Sequence, residues 1–312
     1  MTSSPASLSA ASRLDRPPRH SRLPDLVLVA ITAIWGATFL AVQTGLQWAG
    51  PYGFVALRFG AAGLIALAWS HRLLKQMTRA ELRAGITVGA VLFFSYTLQT
   101  RGLALISSSK SAFLTALYVP LVPLFQWLLF RRRPPLAAWL GITVAFCGLV
   151  LLSDPRGLSF DFGPGEWLTV IGAAAIALEI CTLGRFAGQC EPRRVAVVQL
   201  LTVALLSTLA MGISGEALPH FTPGLGVLVL ALGASTALIQ IAMNWAQKSV
   251  PATRATIIYA MEPVWAGLVG WYAGEHLTVM SISGAALIVL SVLISELGAS
   301  FWRQRTSEGA TH

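Results

Sequence analysis

Ten stretches in which apolar residues run almost unbroken set the rhythm of the chain: 26–46, 51–69, 84–105, 111–130, 136–153, 165–184, 195–214, 223–246, 255–273 and 278–298. Each approaches the ~20 residues that a helix needs to cross the hydrocarbon core of a bilayer. The connections are short and hold the Pro, Gly and charged residues that end such segments. Beyond the gap at 70–83, the longest interruption runs from Ser153-Asp154-Pro155 to Gly163-Pro164-Gly165. Lipid offers no partner to backbone N–H and C=O groups, so spanning segments of this composition must be helices. The pattern predicts an all-α integral membrane protein of ten transmembrane helices.

Composition agrees and excludes a solvent-facing domain. Hydrophobic residues make up 55% of the chain, charged residues 11%, and mean hydropathy is +0.69, against about 25% charged in soluble proteins. The net charge of +9 is not read as a nucleic-acid signal, because membrane proteins collect Lys and Arg in their cytoplasmic connections. With the N-terminus inside, 18 of the 22 basic residues fall in inside segments. These are Arg13 to Arg22 in the tail, Arg72 to Arg83, Arg131 to Arg133, Arg185 to Arg194, Lys248 and Arg254, and Arg303 and Arg305. Only Lys110 and Arg156 fall outside; Arg58 and Arg101 lie within helices. Both termini are therefore expected in the cytoplasm, with the chain in a bacterial-type inner membrane. Residues 1–25 read as a disordered basic tail without a cleavable leader, and 299–312 as a cytoplasmic C-terminal tail. Cys147, Cys181 and Cys190 show no disulfide spacing and read as reduced packing residues.

The halves echo one another. Residues 108–153 lie on 251–296 at a constant offset of 143, matching Ala112 with Ala255, Pro120 with Pro263 and Gly141 with Gly284; at 141, Pro51 meets Pro192 and Arg58 meets Gln199. Five apolar segments, a polar gap and five more give two domains, 26–153 and 165–298. Because five is odd, the second copy enters the membrane from the opposite side. Such an inverted repeat is typical of secondary transporters, whose halves exchange roles about one site, although repeats also build channels.

Several motifs, in order, resemble the drug/metabolite transporter superfamily, and within it the ten-helix EamA-type exporters. They are AIWGATF around Trp35 and Gly36, ALRFGAAGL around Arg58, Ala104-Leu105, and SAFLTALYVPLVPL in the fourth segment. The second half adds AMEPVWAGLVGW with GEHLT around Glu262, Pro263 and Glu275, then ISGAALIVLSVL. The likeness spans 26–298 and is similar in kind to the YddG-like amino-acid exporters. It implies two inverted five-helix repeats, a central cavity, and export of amino acids or other small metabolites. Arg131-Arg132-Arg133 stands where many relatives place a Glu.

The ionisable residues inside apolar segments are Arg58, Arg101, Glu179 and Glu262. A charge there costs several kcal/mol (about 2.5 to 3.5 on insertion scales) and marks either a pathway or an ion pair fixing the packing. Arg58, Glu179, Glu262 and Pro263 are candidates for gating or ion coupling; Pro263 removes a helical N–H and frees a carbonyl in mid-segment. Polar stripes at helical spacing point to a cavity face: Trp35 and Thr38; Tyr96 and Gln99; Tyr118; Gln240 and Asn244; Tyr259. These eight are the candidate substrate-binding residues, each with interhelical hydrogen bonding as the alternative. Amides, hydroxyls and rings suit a ligand that is charged at two points but neutral overall. No phosphate loop, zinc pair or nucleophile elbow is present. An enzyme, a cofactor or a metal is not expected, and the expected partners are the bilayer and a small molecule. The expectation is a secondary exporter of amino acids, with a channel, or a carrier of a nucleoside or lipid, as the alternative.

Overall fold

The computed structural model describes residues 23–131, 136–152, 162–250, 252–259, 261–276, 278–280, 282–287, 289–291 and 293–294. The expectations for residues 1–22 of the N-terminal tail, for the C-terminal tail, for Arg132 and Arg133, and for residues 153–161 lie outside the described residues, whereas Leu23 to Asp25, expected in the disordered tail, belong to the first helix.

Among the described residues the chain is helical throughout, with no strand. In order come α1 Leu23–Gly45, α2 Pro51–Leu74, α3 Arg79–Leu103, α4 Ser108–Thr115, α5 Tyr118–Phe130, α6 Leu136–Leu152, α7 Pro164–Phe186, α8 Pro192–Ser214, α9 Pro223–Ala246, α10 Ala252–Tyr259 and α11 Glu262–Tyr272. A further apolar helix covers Ile282–Ser291. Among the described residues, six stretches are long and apolar enough to cross a membrane: Leu23–Gly45, Pro51–Leu74, Ser108–Leu129, Pro164–Phe186, Pro192–Ser214 and Pro223–Ala246.

Local chemistry sets the helix ends. Pro51, Pro164, Pro192 and Pro223 open α2, α7, α8 and α9, at the position where a missing N–H is harmless. Helix α3 starts at Arg79, ahead of its apolar stretch. The Glu81 amide donates to Thr78 Oγ1 at 3.2 Å while the Thr78 amide donates to the Glu81 carboxylate at 2.8 Å, a capping box.

The expected fourth and ninth segments are each broken in the middle. The fourth gives α4 of 8 residues and α5 of 13. The ninth gives α10 of 8 and α11 of 11. Pro120 and Pro263 sit just past the two breaks and cannot donate to the carbonyl four residues back. Tighter i→i−3 bonds bridge the gaps instead: Leu117 to Leu114 at 3.2 Å, Val119 to Ala116 at 3.0 Å, and Met261 to Ile258 at 3.1 Å.

Packing joins the two halves more than it joins neighbours within one. Helix α2 lies against α8 and α9, α3 against α7 and α8, α1 against α9 and α11, and α5 against α7. Exchanging α1–α5 for α7–α11 maps these contacts onto one another. Close approach of α3 to α8 depends on Gly85 and Gly89: a Cβ on Gly89 would stand 2.8 Å from the Gln199 carbonyl oxygen. Gly274, by contrast, has open space around it and a φ of +94°, and so serves the turn after α11.

The connections sort to two ends. At one, Arg194 binds the Glu81 carboxylate at 3.1 Å, the Glu191 amide donates to it at 3.1 Å, and Lys248 reaches Glu191 at 3.7 Å. This end also carries the basic 72–83 and 185–194 connections. At the other, Glu216 accepts from the amides of Tyr52 (3.1 Å) and Gly53 (2.7 Å) at the start of α2. There Glu275 accepts from the amides of Ser108 and Ser109, both at 3.1 Å, at the start of α4. Lys110 pairs with Glu166 at 2.5 Å. Arg101 reaches this end too, donating to the Tyr52 hydroxyl at 3.1 Å with its guanidinium over that ring.

Candidate functional site

Between the halves lies a cavity of about 40 Å³. Three helices turn one regular stripe toward it: α1 with Trp35, Thr38, Phe39 and Val42; α3 with Tyr96, Gln99, Thr100 and Leu103; α7 with Ile176, Glu179 and Ile180. The spacing of three and four places each set on one helical face. Helix α2 adds Arg58, α9 adds Met243, and the two breaks add Tyr118 and Glu262. The volume is enough for a few water molecules but not for a metabolite.

The breaks meet here. Tyr118 opens α5 and Glu262 opens α11, and the Tyr118 hydroxyl donates to the Glu262 carboxyl at 3.3 Å. Both residues are buried. Helix α1 approaches the second break closely, because Gly36 leaves no side chain: a Cβ there would stand 2.6 Å from Trp265 Cβ and 3.0 Å from the Glu262 carbonyl oxygen.

Arg58 is buried and lines the same cavity. Its Nε donates to Thr236 Oγ1 at 2.8 Å. Its guanidinium carbon lies 5.4 Å from the Tyr96 ring centre and 5.9 Å from that of Phe59, a cation held against two rings. Nη2 is enclosed and has no hydrogen-bond partner. Glu179 is buried and makes no hydrogen bond or ion pair among the described residues. The cavity thus holds one guanidinium and two carboxyl groups that are not paired with one another.

Of the expected substrate-binding residues, Trp35, Thr38, Tyr96, Gln99 and Tyr118 share this wall with Arg58, Glu179 and Glu262. Thr38 satisfies its hydroxyl on the Trp35 carbonyl at 2.7 Å, and Gln99 donates to Thr115 Oγ1 at 3.2 Å. Three others stand off the wall. Gln240 accepts from Gln199 at 2.8 Å, and Asn244 donates to the Gln240 carbonyl at 2.7 Å, so this stripe faces α8. Amides in an apolar bundle settle on one another when they are close enough. Tyr259 lies behind Trp35, edge to face at 5.3 Å, and accepts from Gln247 at 3.4 Å. Pro263 shapes the break without lining the cavity.

Several contributors left little trace in the sequence. Phe39, Val42, Ile176, Ile180 and Met243 line the cavity yet read like any lipid-facing residue. Thr236, the partner of Arg58, is a lone hydroxyl with no stripe. Glu81 and Glu216 carried no sequence signal of their own, and Glu275 entered only as part of the GEHLT motif. Glu81 lies outside the apolar span of α3. Burial alone would raise its carboxyl, but the Thr78 and Glu191 amides, Arg194 and the Thr78 hydroxyl outweigh that and hold it down at about 2. The cysteines are free, with Cys181 and Cys190 buried and Cys147 exposed. No cluster of metal-ligating side chains occurs among the described residues.

Comparison with known proteins agrees with this architecture. A solved protein crystal structure superposes on 89% of this chain and 98% of its own, with a TM-score of 0.67 at 21% identity, which shows a shared fold. An "Uncharacterized transporter" of Archaeoglobus fulgidus is 27% identical over 88% of this chain and 85% of its own length. The "Uncharacterized inner membrane transporter YedA" of Escherichia coli K12 is 27% identical over 87% and 90%. The model of the EamA-like transporter family matches residues 22–154 and again 163–297, one match to each half. The chain is an integral membrane protein and belongs to the EamA-like transporter family.

Proposed function

We propose that the chain is a secondary transporter that exports amino acids, aromatic and other neutral ones, by alternating access around the cavity between its halves. The observation that carries this reading is the cavity itself: one guanidinium, two carboxyl groups and a facing set of aromatic and aliphatic side chains, enclosed within an apolar bundle. A free amino acid offers the complementary set, with one carboxylate, one ammonium group and an apolar side chain.

Ten helices in two inverted repeats, 26–153 and 165–298, are the frame we propose for it. The family's double match, the break in the fourth helix of each half and the exchangeable contacts between halves support that frame. Discontinuous helices meeting near the midplane are where inverted-repeat transporters hold their cargo. The basic end, with Arg72 to Arg83 and Arg185 to Arg194, faces the cytoplasm in this reading, and both termini lie on that side. A volume of about 40 Å³ requires the walls to separate before cargo enters. Glu179 and Glu262 are the groups through which a proton would be coupled.

The test is counterflow of labelled L-phenylalanine and L-leucine in proteoliposomes of the purified protein. Saturable exchange is expected for both. No exchange of any amino acid, together with flux of uridine, would replace the cargo.

A further inference from the structure

We propose that Arg58 is the carboxylate anchor of the transported molecule and that Glu262 and Glu179 receive its ammonium group, so that the site selects zwitterions with both ends free. The assignment rests on the transporter reading above and names which atoms read which end of the cargo.

Arg58 is only 4% exposed, yet it forms no ion pair with any described carboxylate. Among the described residues its one hydrogen bond uses Nε, on Thr236. The Tyr96 and Phe59 rings hold the guanidinium in place. What remains is the pair of terminal nitrogens, of which Nη2 is enclosed and unpartnered. A buried charged donor left without an acceptor is among the costliest features a bundle can carry. Structural arginines in such places are satisfied by a neighbouring carboxylate. Here two carboxyl groups line the same cavity, and neither lies within 4.0 Å of the guanidinium. The planar fork of a guanidinium fits a carboxylate through two parallel bonds.

The other end is equally specified. An ammonium group presents three donors and no acceptor. Glu262 is held by the Tyr118 hydroxyl at 3.3 Å and Glu179 by no described group, so acceptor capacity is left over at both. Trp35, Phe39 and Met243 supply an apolar surface for the side chain between the two ends.

The experiment compares counterflow of L-phenylalanine with that of L-phenylalaninamide and 2-phenylethylamine, at a pH where all three amines are protonated, in wild type and in Arg58→Gln and Arg58→Lys. The wild type is expected to move phenylalanine at least roughly tenfold faster than either compound lacking the carboxylate, because a site built to bond a group rejects the analogue without it. Arg58→Gln is expected to bring the ratio of phenylalanine to amide counterflow down toward one. Arg58→Lys should recover only part of the difference, since a point charge lacks the fork. Equal counterflow of phenylalanine and its amide in the wild type would overturn the Arg58 assignment while leaving amino-acid transport standing. A loss of both compounds together in well-folded Arg58→Gln overturns it as well. No amino-acid flux in the wild type, with flux of uridine, removes the cargo reading and this assignment together. The wild-type comparison needs no variant to fold.

Discussion

Glu81 shows how much one side chain can fix at the edge of a membrane bundle. Its two oxygens take bonds from Thr78 and Glu191 amides and from Arg194, tying the start of α3 to the start of α8. With the folded group held at about 2 against an ordinary 4.5, its stabilising effect is complete above pH 4.5 and fades as pH falls toward 2. A shift of that size corresponds to on the order of 3 kcal/mol near neutrality. Glu81→Gln is therefore expected to lower the thermal midpoint in detergent at pH 7 by several degrees. The gap from wild type should shrink by about half at pH 3; a gap that does not change with pH would show that charge plays no part. At this scale the sequence was uneven. Arg58, Glu179 and Glu262 stood out because an ionisable group in an apolar run is conspicuous whatever its partner. Gln240 and Asn244 stood out too, but sequence cannot distinguish an amide facing a cavity from one facing the Gln199 amide on another helix.

The two broken segments carry the mechanics at the scale of elements. Pro263 was visible as a helix breaker beside Glu262, and the break falls at that point. Its counterpart beside Pro120 was expected as one continuous helix, since the surrounding residues are uniformly apolar and a segment with two short pieces has the same hydropathy as an unbroken one. If the breaks bend during transport, Pro263→Ala should stiffen the second one by restoring an amide that can bond to the Tyr259 carbonyl. Transport is expected to fall several-fold while the thermal midpoint holds or rises; full-rate transport by this variant would remove the hinge role. Element ends were the other miss. Helix α3 begins among charged residues because the Thr78–Glu81 box pays for its first turn, and hydropathy alone cannot see a cap.

For the whole molecule, the membrane class was legible because lipid imposes segment length. The way the halves interleave was not: nothing in the order of segments announces that α2 packs on α8 or that α3 lies between α7 and α8. The proposed orientation makes a simple prediction. Single cysteines placed at Arg156 and at Arg305 in a background lacking Cys147, Cys181 and Cys190 should differ in labelling by a membrane-impermeant thiol reagent. In intact cells freed of their outer barrier, the Arg156 position is expected to react and the Arg305 position to react only after lysis. Labelling of both would overturn the proposed inversion, and the reverse order would overturn the proposed orientation.

The carboxylates at the helix starts have a consequence for ancestry and assembly. Glu81, from the first half, covers the bare amide that begins α8 in the second. Glu216 and Glu275, from the second half, do the same for α2 and α4 in the first. Each half therefore lends the other groups that it does not supply to itself, and uncovered helix ends are costly in a bilayer. A polypeptide of half this length would be incomplete alone. It would reach the same satisfied state only by meeting a second copy, so the fused chain makes permanent a partnership that would otherwise depend on concentration.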